Sequence, residues 1–196
     1  MTLDNILEEI KKANTIAIVV HENPDGDAIG SALAMKLALE QLNKEADVII
    51  PEYPSAFSFL PGVEEIKKES EIQEYDLAIA LDCASIKLLN GFAKYFDNAK
   101  VKVAIDHHSS NTMYADYNFI SQDSPACAQL LLVAFSYFGI EVTKEIGTCI
   151  LAGIITDTGG FRYSTVTAET FRFVAELCEK GVKVSQIYDI FKQDKS

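Results

Sequence analysis

Apolar positions along the 196-residue chain change their period several times. Between Met1 and Asn14, Leu3, Ile6, Leu7 and Ile10 fall at helical spacing, which predicts an amphipathic helix packed on the body of the protein. Thr15 to Val20 is a continuous apolar run, the mark of a strand covered on both faces. Helical spacing returns from Ala28 to Leu42. Further strands are predicted at Ala46 to Ile50, Asp76 to Leu81 and Val101 to Ile105, with a helix across Ile86 to Phe96. After residue 105 the strand signal thins out. Pro125 suits the first turn of a helix running to about Phe138, and Gly139 suits its end. Another helix begins at Thr143, with that residue as its cap, and reaches about Thr156. Thr167, with Thr170 and Phe171, opens one that stops near Gly181, and Val184 to Phe191 forms the last.

This alternation predicts an α/β fold: a mostly parallel sheet flanked by helices, with a helical C-terminal half. Residues 1–191 read as one domain, and the polar residues 192–196 as the start of a linker or the chain end. No apolar run reaches the roughly 18 residues that a membrane span needs. The N-terminus has neither the basic start nor the unbroken apolar stretch of a signal peptide. A cytoplasmic protein with no membrane partner is the expectation. Cys83, Cys127, Cys149 and Cys178 are widely and irregularly spaced within apolar sequence, so all four are expected to be buried thiols.

Charge narrows the choice of ligand. The net charge is −12, and the only arginines are Arg162 and Arg172. A domain that tracks long duplex nucleic acid needs a basic stripe for its phosphate contacts, and none is present. A short phosphorylated ligand is compatible with this charge if metal ions supply the positive field.

Polar clusters follow each buried run. His21, Asp25 and Asp27 come after the first, Asp82 after the third, and Asp106-His107-His108 after the fourth. In an open parallel sheet, ligands bind beyond the carboxyl ends of the strands, so these clusters are placed to converge. All three histidines of the chain belong to them. Taken singly, Asp27 or Asp82 reads as a helix cap. Three titratable groups directly after an apolar strand are costly to bury without partners, and divalent cations are natural partners. Imidazole and carboxylate without thiolate favour Mn2+, with Mg2+, Co2+ or Zn2+ as alternatives. A fourth segment, Asp157-Thr158-Gly159-Gly160-Phe161-Arg162, ends an apolar helix. A carboxylate there opposes the helix dipole, so Asp157 needs a nearby cation. Arg162 is either that cation or a holder of substrate phosphate.

In order and spacing these four motifs resemble the DHH phosphoesterase family over essentially the whole chain. Asn111, three residues after His108, and the Gly160-Phe161-Arg162 ending are most similar to its oligoribonuclease and 3′-phosphoadenosine-5′-phosphate phosphatase branch. The resemblance implies two divalent metal ions. One would be held by His21, Asp25 and Asp82, the other by Asp27, Asp82, His107 and Asp157, with Asp82 bridging. It further implies hydrolysis of phosphoester bonds in short oligonucleotides or phosphorylated nucleotides. His108 would act on the phosphoryl group or the leaving group, Asp106 would orient an imidazole, and Asn111 and Arg162 would contact substrate. The same motifs occur in inorganic pyrophosphatases and cyclic-dinucleotide phosphodiesterases, and a non-catalytic metal- or nucleotide-binding regulatory module is the alternative from another class. Two departures bear on substrate preference. The family's usual second domain is expected to be missing from these 196 residues, so efficient cleavage of nucleotides is expected to need that domain or a homodimer partner's surface. Ser124 to Cys127 also differs from the family's Ser/Thr-rich, Glu-containing segment.

Overall fold

A computed structural model describes residues 2–188. Residues 192–196, assigned above to a linker or chain end, and the last three residues of the helix expected over 184–191 lie outside it.

The elements in chain order are α1 (Thr2–Lys12), β1 (Ile16–Val19), α2 (Gly26–Gln41), β2 (Ala46–Ile49), β3 (Leu77–Leu81), α3 (Ala93–Asp97), β4 (Val101–Asp106), β5 (Tyr117–Ile120), α4 (Cys127–Phe138), α5 (Lys144–Asp157), α6 (Ala168–Glu179) and α7 (Val184–Tyr188). All strand pairs are parallel, in the order β2-β1-β3-β4-β5. The chain runs from β1 outward to β2 and then crosses back to β3. The order therefore reverses between β1 and β3, and a crevice opens beyond their carboxyl ends.

Side-chain size decides how the sheet is covered. Ile16, Ile18, Leu77, Ile79, Leu81, Val103 and Ile105 point to one face and join the main core with residues of α2, α4 and α5. Ala17, Val19, Ala78 and Ala80 line the other face under Tyr75, Tyr95 and Phe96, a thinner layer. Helices α2 and α5 pack closely because glycine faces backbone: a Cβ on Gly30 would stand 2.4 Å from the carbonyl oxygen of Cys149. Thr143 caps α5, and Thr167 with Thr170 forms a capping box on α6, as their positions predict.

Four expectations need correction. Ile86 to Phe96 is not one helix: a three-ten stretch, Ile86–Phe92, breaks at Asn90 (φ 44°, ψ −123°) before α3 begins. Helix α4 starts at Cys127, two residues after Pro125, because Ala126 is its extended N-cap. The sheet has a fifth strand, β5, whose four residues are each half-buried and show no continuous apolar run. Cys178 is exposed, whereas the other three cysteines are buried. No helix among the described residues is long and apolar enough to cross a membrane.

Candidate metal centre

The loop from β1 to α2 and the first turn of α2 carry the first three acid and imidazole groups. Asp25, rather than Asp27, is the N-cap of α2: its Oδ1 accepts the amides of Asp27 (2.9 Å) and Ala28 (3.1 Å). Among the described residues its second oxygen accepts no hydrogen bond. Asp27 sits in the first turn, fully buried, and serves a different helix. Its Oδ2 accepts the amide of Cys127 at 2.6 Å and its Oδ1 that of Ala128 at 2.9 Å, so it caps α4 from α2. Gly153 on α5 makes room for this, since a Cβ there would lie 2.7 Å from Asp27 Oδ1.

Asp82 follows β3 with a left-handed backbone (φ 51°) and is 2% exposed. Its Oδ2 lies 3.8 Å from His21 Nε2 and its Oδ1 3.4 Å from His107 Nε2. Among the described residues it alone is a carboxylate within 4 Å of both histidines. His107 is held by its other nitrogen, Nδ1, 3.2 Å from the carbonyl of Ser124. That contact makes Nδ1 the donor, so in the neutral imidazole Nε2 is the free lone pair. Nε2 also lies 3.4 Å from Asp157 Oδ2 and 3.7 Å from Asp27 Oδ2.

Asp82 Oδ1 and His107 Nε2 are both buried without a hydrogen-bond partner. Buried polar atoms are nearly always satisfied, so two adjacent orphans with the carboxylates of Asp25, Asp27 and Asp157 around them fit a place for added positive charge. Donor atoms of His21, Asp25 and Asp82 lie within 4.8 Å of one another, as do those of Asp27, His107 and Asp157. The imidazole anchored to a backbone carbonyl is the usual support for a metal-binding histidine. The residues present therefore fit a centre for two cations.

Asp106 and His108 belong to the same cluster, with donor atoms within 4.8 Å of those of Asp82 and His107. Asp106 is fully buried and satisfied: His107 donates its amide at 2.9 Å, Asn111 Nδ2 donates at 2.7 Å, and His108 Nδ1 approaches to 2.7 Å. Asn111 also donates to the Cys83 carbonyl and accepts the Met113 amide, so both ends of its amide are engaged within the protein. Arg162 is exposed and makes no ion pair among the described residues; its Nε donates to the Gly159 carbonyl at 2.7 Å. The turn that carries it contains three successive left-handed residues, Gly159, Gly160 and Phe161.

Crowded negative charge shifts protonation in one direction. Burial, then the neighbouring Asp82, pushes the Asp27 carboxyl well above its usual range. Burial raises Asp157 to about 6. Burial pulls the His107 imidazole down, but the carboxylates of Asp82, Asp27 and Asp157 together lift it to about 9. His108 is raised chiefly by its bond to Asp106. Each of these groups binds a proton more tightly folded than unfolded. Stability of the metal-free protein should thus fall with rising pH, first above about 4 as the carboxylates ionise, then from about 6.5 to 9 as His107 loses its proton. In chelator the melting temperature should decrease from pH 5 to pH 9. Mn2+ should raise it more at pH 8 than at pH 5, because cations compete with these protons. A melting temperature that climbs with pH in chelator would contradict the assignment.

Comparison with known proteins accords with this geometry. Relative to a Thermus thermophilus protein named bifunctional oligoribonuclease and PAP phosphatase NrnA, the chain is 35% identical over 187 residues, covering 94% of this chain and 56% of the relative. A probable manganese-dependent inorganic pyrophosphatase from Exiguobacterium is 26% identical, over 85% of this chain and 55% of that protein. Among solved structures, an exopolyphosphatase-related protein from Bacteroides fragilis has a TM-score of 0.91 at 28% identity, over 96% of this chain and 59% of the other. The chain thus spans less than two thirds of the length of each. Residues 15–154 match the family model described as DHH family, N-terminal domain. That stretch holds every residue of the centre except Asp157, and on it this chain belongs to the DHH family.

Proposed function

We propose that this chain is the metal-binding catalytic domain of a phosphoesterase acting on short oligonucleotides or phosphorylated nucleotides. The observation that carries the reading is the pair of orphaned buried atoms, Asp82 Oδ1 and His107 Nε2, at the strand ends where four carboxylates meet. His21, Asp25 and Asp82 would hold one divalent cation. Asp27, Asp82, His107 and Asp157 would hold the other, with Asp82 shared. The oxygen-rich donor set suits Mn2+, with Mg2+ or Co2+ as substitutes. A pair of such cations supplies Lewis acidity and neutralises charge that develops on a phosphoryl group.

The chain's own residues do the rest. Asp106 pins His108 through Nδ1 and favours its protonated form. Nε2 of that imidazole is then a proton donor for a phosphoryl or leaving-group oxygen. Asn111 fixes Asp106 and so acts through it. Among the described residues the guanidinium of Arg162 is tethered only through Nε, which keeps its terminal amino groups for a substrate phosphate.

The test is product analysis with Mn2+ on dinucleotides, phosphoadenosine phosphate, cyclic dinucleotides and pyrophosphate. Hydrolysis of pyrophosphate alone would overturn the nucleotide reading in favour of the pyrophosphatase relatives. No hydrolysis of any member, with metal bound, would favour a regulatory module. The residue roles give a sharper expectation. His108→Ala should keep its metal content and lose roughly 10²- to 10⁴-fold in kcat, the usual worth of a general acid. Arg162→Ala should chiefly raise KM. Metal loss from His108→Ala, by elemental analysis, would mean that His108 is a ligand.

A further inference from the structure

A cleft of about 1100 Å³ lies beside the metal centre and has no role in the scheme above. It shares a wall with that centre: Glu22, Asn23 and Pro24 line it, and these residues join His21 to Asp25. The shared wall is braced from the break before α3. Glu22 donates its amide to the Leu88 carbonyl at 2.9 Å, and Asn90 Nδ2 donates to Glu22 Oε1 at 2.5 Å. Asn90 does this from a backbone conformation that few residues adopt, and such strain concentrates where a surface must be held in shape.

The chemistry of the lining selects a ligand. Tyr53 and Phe92 contribute aromatic rings, and Pro24, Pro51 and Pro54 add rigid apolar surface. Phe92 is itself held by stacking on Tyr95, with ring centroids 6.5 Å apart. Glu22, Glu52 and Glu69 face a single cation, Lys68. Three carboxylates against one ammonium disfavour a phosphate chain. They favour a neutral, flat group with N–H and O–H donors. A nucleobase with its ribose has that character: its face stacks on aromatic rings, and its amino and hydroxyl groups donate to carboxylates.

We infer that this cleft binds the nucleoside portion of the substrate, base on Tyr53 and Phe92, while the phosphate lies at the neighbouring cations. The inference rests on the phosphoesterase reading for the identity of the ligand. It also separates nucleotide substrates from pyrophosphate and polyphosphate, which have nothing to place here.

The chain contains no tryptophan. A Tyr53→Trp variant of the full chain therefore carries one indole, at the cleft. Adenosine and guanosine, which have no phosphate, should quench its emission saturably, with Mn2+ and again in chelator, whereas ribose and pyrophosphate should not. Titration calorimetry of adenosine into the unmodified protein and Tyr53→Ala gives a second measurement, with affinity expected to drop about tenfold, as for loss of a stacking aromatic. Absence of saturable quenching, equal quenching by pyrophosphate, or equal affinity in Tyr53→Ala would each overturn the inference. None of these readouts involves hydrolysis, so failure of the cleft assignment is distinguishable from failure of the phosphoesterase reading, which only the hydrolysis panel reports.

Discussion

Asp82→Ala is expected to lose the cations proposed for the centre, and hydrolysis with them, by on the order of 10³-fold or more, at least what removal of one transition-state donor does. Asp82 is the carboxylate that reaches both histidines, so no neighbour can substitute for it. Alanine adds a backbone effect at φ 51°, about 1 kcal/mol, because only a few residue types tolerate the left-handed region. Asp82→Asn separates the two contributions. Asparagine accepts that backbone and keeps the side-chain shape, so the variant should fold normally. Without metal its melting temperature near pH 7 should fall modestly, since the protonated His107 imidazole loses the carboxylate charge 3.4 Å from its Nε2. It should still bind little Mn2+. Full metal occupancy and ordinary turnover in Asp82→Asn, by elemental analysis and steady-state rates, would remove Asp82 from the centre.

Gly153→Ala should destabilise the protein by about 2 kcal/mol, although helix propensity alone predicts a gain of about 1 kcal/mol in the middle of α5. The sign is the test. The added methyl would stand 2.6 Å from Ala128 Cβ on α4 and 2.7 Å from Asp27 Oδ1 on α2. Neither can retreat independently, because the Asp27 carboxylate also holds the first two amides of α4. The substitution therefore forces Asp27 off one helix or forces two helices apart. Denaturant unfolding in chelator measures the cost without interference from bound metal. In an Asp27→Ala background the same substitution should cost less, since the oxygen it strikes is gone. A stabilised Gly153→Ala protein would show that α5 has more freedom than its packing implies.

Much of this was legible in the chain. The buried strands announced themselves as unbroken apolar runs, and parallel order follows once helices alternate with them. The candidate donors other than Asp157, which ends α5, follow the strands, because a sheet buried on both faces leaves its carboxyl ends as the place where polar groups can gather. What escaped was decided at long range. Strand β5 lies at the edge of the sheet, where α1 lies against it, so its residues are half-buried and need no apolar run. The role of Asp27 depends on amides a hundred positions away, and local rules offered only the cap of its own helix, which Asp25 takes. Asn90 turns the chain where helical spacing alone would have continued it. Cys178 sits on α6, where only Thr170, Val174 and Leu177 are buried, and its apolar neighbours in sequence belong to that other face.

The sheet order also governs when the centre can come into being. His21, Asp82, His107 and Asp157 are drawn from separate strand ends and from the end of α5, and only the loop from His21 to Asp27 is local in sequence. Parallel strands cannot pair through a tight turn, so the β2-β1, β1-β3 and β3-β4 junctions wait for long connections to close, and such non-local topology folds slowly. A partly synthesised or partly folded chain holds at most the first fragment of the donor set. Cation capture at the proposed centre would accordingly be a last event in maturation, the ion entering a vessel already shaped by the apolar core instead of directing its construction.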